Sequence, residues 1–141
     1  MSDKSNLNIY CDGGARGNPG PAASAFVVID ESGSEVYSRG YYLGEATNNQ
    51  AEYCAVLKAL EWFIISGFSA GKLTFYLDSL LVASQLKGVY KVKDNALKDY
   101  LFRIRNLIEK NNIIILDYIH IPRLENSRAD TVVNQILDRH R

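Results

Sequence analysis

The sequence predicts an α/β fold in which a five-stranded mixed sheet carries helices on both faces. Three strand-like segments come first, and helical and strand-like segments then alternate, which gives the order βββαβααβα. Strands joined through helices run parallel because such crossovers are right-handed, whereas strands joined by hairpins run antiparallel. With 141 residues the chain has the length of one ordinary domain. We therefore expect residues 1–141 to form a single domain.

The first three strands are predicted from alternating apolar residues bounded by turn residues. The first runs from Leu7 to Asp12 and ends at glycines, and the turn "ESGS" separates the second, Ser24 to Asp30, from the third, Glu35 to Leu43. This spacing indicates an antiparallel meander.

The rest of the chain alternates between helical and strand periodicity. A helix is predicted from Asn49 to Ser66, because apolar residues recur at helical spacing and Gly67 provides a C-terminal stop. The elements predicted after it are a strand Lys72 to Asp78, a short helix over "SLLVASQLKG", a helix Asn95 to Lys110, a strand Ile113 to Ile119 and a helix Ser127 to Arg139.

Composition excludes several classes of protein. The chain is 47% hydrophobic and 23% charged, which is typical of a folded protein and not of a disordered chain. No apolar run has the length of a membrane span, and the segment "MSDKSNLN" lacks the apolar stretch of a signal peptide. We expect a cytoplasmic protein in which Cys11 and Cys54 are buried thiols.

The charge is balanced overall but unevenly distributed. Residues 1–52 hold three Lys and Arg against seven Asp and Glu, and residues 86–110 hold seven against three. An acidic segment and a basic one are able to serve a cation site and a phosphate backbone separately.

Four acids stand at positions where the predicted fold brings elements together. Asp12 and Asp78 end the first and fourth strands, beside the crevice expected where the strand order reverses. Each acid also has a purely structural explanation. Asp12 is able to cap a turn, Glu52 to form a capping box with Asn49, Asp78 to cap the next helix, and Asp130 to interact with a helix dipole.

The four acids are more informative together. Glu52 and Asp130 share helix faces with apolar residues and therefore point toward protein. Four converging carboxylates need compensation by positive charge, and an all-oxygen site suits Mg²⁺ or Mn²⁺. Two such ions are the usual apparatus for displacement at a phosphodiester.

Four segments of the sequence resemble the signature segments of type 1 ribonuclease H, in the same order: "DGGARGNPGPAA", "TNNQAEYCAVLKAL", "YLDSLLVASQL" and "HIPRLENSRADTVVNQ". The short connection before Asn95 is similar to the branch that lacks the basic handle helix. The resemblance implies a ribonuclease H-like fold with strand order 3-2-1-4-5. It also implies a metal-dependent endonuclease that cuts the RNA strand of RNA/DNA hybrids to 5′-phosphate and 3′-hydroxyl ends. Its metal ligands and catalytic carboxylates are then Asp12, Glu52, Asp78 and Asp130.

The resemblance also implies substrate contacts. Asn18 and Asn48 are expected at the minor groove of the hybrid and Thr47 at a DNA phosphate, while Gly13 and Gly14 allow a close approach of substrate. Capping of loops by Asx turns is the structural alternative for the two asparagines.

Two further residues correspond to family positions near the metals. His120 stands where many members carry a histidine that moves protons or assists product release, and a structural role is its alternative. Arg123, together with Asn126, matches the "PR" and "N..AD" pattern of the shorter branch. A salt bridge to a nearby acid is the alternative for Arg123.

Basic residues after the short helix offer a partial substitute for the missing handle. Lys87 is a candidate phosphate contact and Tyr90 a stacking platform, although such a charge run is also typical of a solvated face. We expect weaker and more salt-sensitive binding of the hybrid.

The sequence thus predicts a monomeric, Mg²⁺- or Mn²⁺-dependent ribonuclease H with an RNA/DNA hybrid as partner, two ions per site, and no membrane or obligate protein partner. Two alternatives remain open. One is a non-catalytic nucleic-acid-binding relative of the same fold. The other is the same chemistry extended to double-stranded RNA, which shares the A-like shape and the 2′-hydroxyl groups.

Overall fold

The computed structural model describes residues 6–68 and 70–141. Its elements, in chain order, are β1 (Asn6–Ala15), β2 (Gly20–Ile29), β3 (Glu35–Ala46), α1 (Asn48–Ser66), β4 (Lys72–Leu77), α2 (Leu80–Lys87), α3 (Asn95–Lys110), β5 (Leu116–His120), a 3₁₀ helix (Arg123–Asn126) and α4 (Ser127–Arg139).

The five strands form one sheet in the order β3-β2-β1-β4-β5, which confirms the predicted fold class. β1 pairs with β2 in antiparallel fashion and with β4 in parallel fashion, and β4 and β5 are also parallel. β1 is therefore the central strand. Asp12 of β1 lies just past the last residues that pair with β4, Tyr10 and Tyr76, where the strand order reverses.

Helices cover both faces of the sheet. One core cluster joins β1, β2 and β4 to α1, α2 and α3, with Phe26, Tyr53, Phe75 and Ile104 fully buried. A smaller cluster joins β2 to α4 through small residues such as Ala23, Ala25 and Ala129. The two clusters fix α1 and α4, which each carry one of the predicted acids, on opposite faces of the same sheet.

The glycine-rich segment forms a longer hairpin than the sequence predicted. β1 continues beyond Asp12 to Ala15 and β2 begins at Gly20, so only residues 16–19 form the turn. The Arg16 N–H donates to the Pro21 carbonyl at 2.8 Å, and Gly17 has a φ of 106°. The glycines therefore belong to strand ends and to a tight turn.

The start of β5 was predicted too early. Asn112 follows α3 with a φ of 54°, and Ile114 is 88% exposed, so this apolar segment does not join the sheet. Pairing with β4 begins at Leu116, opposite Leu73. None of the helices that the structure describes is both long enough and apolar enough to cross a membrane.

Candidate active site

Asp12 lies in the central strand at the bottom of a cleft of about 350 Å³. Its side chain is only 6% exposed, and its strand neighbour Cys11 is fully buried. A carboxylate in this position is withdrawn from water, which disfavours its charged form.

Gly13 determines how closely α1 approaches this strand. A Cβ at Gly13 would overlap with the backbone of Ala51 and Glu52, so the absent side chain leaves the space that α1 occupies. Ser24 of β2 reinforces the contact, because its hydroxyl donates to the Ala51 carbonyl at 2.6 Å. The close approach at Gly13 thus serves packing of α1, and it delivers Glu52 to Asp12.

The first turn of α1 is capped without the use of Glu52. Thr47 is the N-cap, its hydroxyl accepts from the Gln50 N–H at 3.1 Å, and the Gln50 side chain accepts from the Thr47 N–H at 3.0 Å. The capping box of α1 is therefore formed by Thr47 and Gln50, and not by Asn49 and Glu52 as the sequence allowed. Glu52 is left available for the cleft, where it is 5% exposed.

Asp78 reaches the cleft from the end of β4. Ser79, and not Asp78, caps α2 by accepting from the Val82 N–H at 3.2 Å. Asp12, Glu52 and Asp78 each present a carboxylate oxygen such that the three atoms lie within 4.8 Å of one another. Three of the four predicted acids therefore converge.

The cluster carries the electrostatic signature of a cation site. Burial, followed by the negative charges of Asp78 and Asp130, raises the pKa of Asp12 to about 7. Burial, followed by the charges of Asp12 and Asp78, also raises the pKa of Glu52 well above its ordinary value. A divalent cation would reverse both effects by stabilising the charged forms.

One oxygen of this cluster lacks a partner. Among the described residues, Glu52 Oε2 is buried and accepts no hydrogen bond. An orphaned, buried carboxylate oxygen beside two other carboxylates fits a hard divalent cation, which prefers oxygen ligands. The three carboxylates are thus positioned to bind divalent metal ions.

Asp130 lines the same cleft but stands outside the group of three. It lies in the first turn of α4, with its side chain 34% exposed, and Arg123 Nη2 is 3.8 Å from its Oδ1. Arg123 therefore forms the salt bridge that was its structural alternative, and its partner, Asp130, is a predicted metal ligand. Arg123 is itself 81% exposed and lines the cleft.

Asn18 and Asn48 are linked to each other at the rim. The Asn18 side-chain oxygen accepts from the Asn48 N–H at 3.0 Å, and the Asn48 side-chain oxygen accepts from the Ala15 N–H at 2.8 Å. Both amide oxygens therefore bond to the protein, and both residues are exposed. Their amide groups retain N–H donors for a ligand. Asn48 and Gly14 line the cleft.

The other predicted site residues lie elsewhere. His120 ends β5 opposite Leu77, is exposed, and does not line the acidic cleft. Lys87 is exposed at the end of α2. Tyr90 lines a second cavity of about 440 Å³ with Lys91, Lys98, Phe102 and Arg105. This basic and aromatic cavity lies between the α2–α3 connection and α3.

Arg16 was missed as a candidate, and Asn126 was noted only as part of a family pattern, without a role of its own. Arg16 lines the cleft, and its Nη2 contacts Asp138 Oδ1 at 2.8 Å and Asn134 Oδ1 at 3.3 Å. Asn126 is 1% exposed and donates to Asp78 at 3.0 Å. The "N..AD" pattern marks Asn126 in the sequence, but its partner lies 48 residues away and no local signal identifies it.

Comparisons with known proteins show to which family this fold and site belong. A family model described as reverse transcriptase-like matches residues 10–136. Ribonuclease HI of Halobacterium salinarum is 40% identical over 132 residues, which cover 94% of this chain and 64% of that protein. This chain therefore spans less than two thirds of that relative. It spans 35% of the bifunctional protein Rv2228c of Mycobacterium tuberculosis.

Solved structures agree with the family match. LC11-RNase H1, isolated from compost by a metagenomic approach, has been solved in complex with an RNA/DNA hybrid. That complex superposes with a TM-score of 0.91 at 40% identity, covering 95% of this chain and 98% of the other. The N-terminal RNase H domain of Rv2228c gives a TM-score of 0.84 at 32% identity, covering 92% and 97%. The chain belongs to the type 1 ribonuclease H family.

Proposed function

We propose that this protein is a divalent-metal-dependent endonuclease that hydrolyses the RNA strand of RNA/DNA hybrids. The observation that carries the proposal is the convergence of Asp12, Glu52 and Asp78 within 4.8 Å, with a buried Glu52 oxygen that lacks a partner. The hybrid bound to LC11-RNase H1 supports the choice of substrate. Hydrolysis leaves 5′-phosphate and 3′-hydroxyl ends.

The chain supplies the ligands and their arrangement. Asp12, Glu52 and Asp78 would hold Mg²⁺, with Mn²⁺ as a substitute, and Asp130 would contribute the fourth carboxylate from the same cleft. Two bound ions would activate water as the nucleophile and would stabilise negative charge on the departing 3′-oxygen. Because α1, β1 and β4 are fixed by the core, the ligands need little reorganisation before reaction.

Residues at the rim would orient the substrate. Asn18 and Asn48 have their amide oxygens bonded to backbone N–H groups, so each presents its amide N–H groups outward. Such donors suit the 2′-hydroxyl and base edges of the minor groove. We assign Thr47 to a DNA phosphate near the start of α1, where backbone N–H groups and the helix dipole favour an anion.

The remaining predicted residues are assigned weaker roles. The exposed Arg123 has the charge and reach to neutralise phosphate beside Asp130, whereas His120 lies outside the cleft and would act only on departing product. Lys87 and Tyr90 belong to the basic segment that would contact the far part of the hybrid. Residues 1–141 would act as one catalytic domain and as a monomer, in the cytoplasm.

A single cleavage assay tests the proposal. Labelled RNA/DNA hybrid, RNA duplex and DNA duplex of one sequence are incubated with the protein in Mg²⁺ and, separately, in chelator. We expect cleavage of the RNA strand of the hybrid only, with loss of activity in chelator and at least a thousandfold slower cleavage by Asp12→Asn. A gel shift without turnover would instead support a binding module, and cleavage of the RNA duplex would extend the substrate range.

A further inference from the structure

Asn126 joins three of the elements that carry the acids. It is the last residue of the 3₁₀ helix and the N-cap position of α4, and it is 1% exposed. Its Nδ2 donates to the Cys11 carbonyl at 2.8 Å and to Asp78 Oδ2 at 3.0 Å. One amide group therefore contacts β1 beside Asp12 and the carboxylate at the end of β4.

The two contacts determine the orientation of the amide. A backbone carbonyl and a carboxylate are both acceptors, so only the NH₂ side of Asn126 is able to face them. Among the described residues, Asn126 Oδ1 is buried without a partner, so no competing interaction turns the amide the other way. The contact to Asp78 involves a charged acceptor and is therefore stronger than a neutral hydrogen bond.

The path of the chain leads Asn126 to this position. The Ile121 N–H donates to the Leu77 carbonyl at 2.9 Å, which holds the segment after β5 against the end of β4. The 3₁₀ helix then crosses toward β1. α4 starts directly after Asn126, so a residue four positions later lies about 6 Å along the helix axis, at 1.5 Å per residue. That residue is Asp130.

We propose that Asn126 is a positioning residue that holds the Asp78 carboxylate and the start of α4 in the geometry needed to bind the metal ions. The inference rests on the proposed function. Binding of one Asp78 oxygen by Asn126 restricts rotation of that carboxylate and leaves the other oxygen available to a cation. Partners of this kind, which contact a ligand and not the metal, typically change metal affinity by 10–100-fold when they are removed.

The test measures metal affinity directly. Mn²⁺ is titrated calorimetrically into the wild type and into Asn126→Ala, without nucleic acid. We expect about tenfold weaker Mn²⁺ binding by the variant. Binding within twofold of the wild type would overturn the inference. If Asn126→Ala does not fold, Asn126→Leu, which keeps a similar volume and carries no donor, is compared with the wild type in the same way and by the same criterion.

A matched control separates positioning from loss of stability. Val28 is fully buried in β2, opposite Ile9 of β1 and Tyr37 of β3, so Val28→Ala lowers stability through the core. It should leave Mn²⁺ affinity unchanged while its melting temperature falls. Weaker Mn²⁺ binding by Val28→Ala, equal to that of Asn126→Ala, would assign the effect to general loosening and would contradict the inference.

A double-mutant cycle tests whether Asn126 acts through Asp78. In the Asp78→Asn background, Asn126→Ala should weaken Mn²⁺ binding much less than it does in the wild type. Equal losses in both backgrounds would contradict the inference. Failure of the proposed function is distinct, because it would appear as no metal uptake or no hybrid cleavage by the wild type itself.

Discussion

At the scale of single residues, the site brings like charges together, and a bound cation would relieve their repulsion. Asp12 is surrounded by Glu52, Asp78 and Asp130 and is withdrawn from water. Repulsion of this kind lowers the stability of the metal-free protein. Buried carboxylates from distant parts of a sequence are therefore brought together where a bound cation offsets their repulsion.

Asp12→Asn should make the metal-free protein more stable at neutral pH. The pKa of Asp12 rises from 3.8 to about 7 on folding, so the folded state binds this proton more tightly than the unfolded chain. The contribution of Asp12 to stability is therefore fully present below about pH 4 and is lost as the pH rises through about 7. Relative to the wild type, Asp12→Asn should gain on the order of 3 kcal/mol in free energy of unfolding across this window.

Urea denaturation in chelator at pH 4.5 and pH 8 measures this gain. Asp99→Asn is the control, because the Asp99 side chain is 66% exposed and pairs with Arg103 on the same helix. The control should show no such pH-dependent gain. A wild type that is more stable than Asp12→Asn at pH 8 in chelator would contradict the convergence of charge at this site.

At the scale of elements, the position of Glu52 depends on how α1 packs on β1. Gly13→Ala should push α1 away, because the added methyl overlaps with backbone and not with a flexible side chain. We expect a loss of about 2 kcal/mol or more in stability, together with weaker Mn²⁺ binding. Thermal melts and calorimetric titration measure the two effects.

Gly14→Ala is the matched control for this substitution. Its added Cβ would lie 3.9 Å from Val133 Cγ1 and 4.0 Å from Asn48 Oδ1, which are ordinary contact distances. The control should melt close to the wild type. If Gly13→Ala were as stable as Gly14→Ala, the close packing of α1 against β1 would not be what places Glu52.

The elements differ in how far local sequence determines them. α3 begins at Asn95 and ends at Lys110, as the sequence predicted, because Asp94 caps it and its apolar positions recur at helical spacing. The end of β1 was predicted too early, since glycines that signal a turn continue as strand when β2 pairs with them. Pairing across the sheet is a long-range event that local pattern does not report.

The site residues also divide into those that local sequence predicts and those that depend on long-range contacts. The acids Asp12, Glu52 and Asp78 were predictable because strand ends and helix faces constrain them and because the family motifs include them. The contacts of Asn126 were not predictable, since its partners Asp78 and Cys11 lie 48 and 115 positions away in the sequence. The pairing of Arg16 with Asp138 escaped prediction for the same reason.

At the scale of the whole molecule, acidic and basic functions are separated in space. The acidic cleft lies at the ends of β1 and β4, and the basic cavity with Lys91, Lys98 and Arg105 lies beside α3. We expect the proposed RNA/DNA hybrid to contact both. Affinity would then depend on phosphate contacts in the basic cavity, and chemistry on the carboxylates.

Lys98→Ala should weaken binding of the hybrid and reduce its salt dependence. Removal of one phosphate contact lowers the slope of log K against log salt concentration by about one. Fluorescence anisotropy of a labelled hybrid in Ca²⁺, over a series of salt concentrations, measures both quantities.

Lys58→Ala is the control for charge, because Lys58 lies on α1 outside both cavities and pairs with Glu61. It should leave the slope unchanged. Equal slopes for wild type and Lys98→Ala would mean that the basic cavity does not touch the phosphate backbone.

The covering of one sheet face by α4 has a consequence during synthesis. Ala23, Ala25 and Val27 are buried beneath this helix, which also brings Asp130. While α4 is still within the ribosomal exit tunnel, that face of the sheet is bare and the fourth carboxylate is missing. The proposed catalytic site is therefore incomplete until α4 has left the tunnel and packed against the sheet.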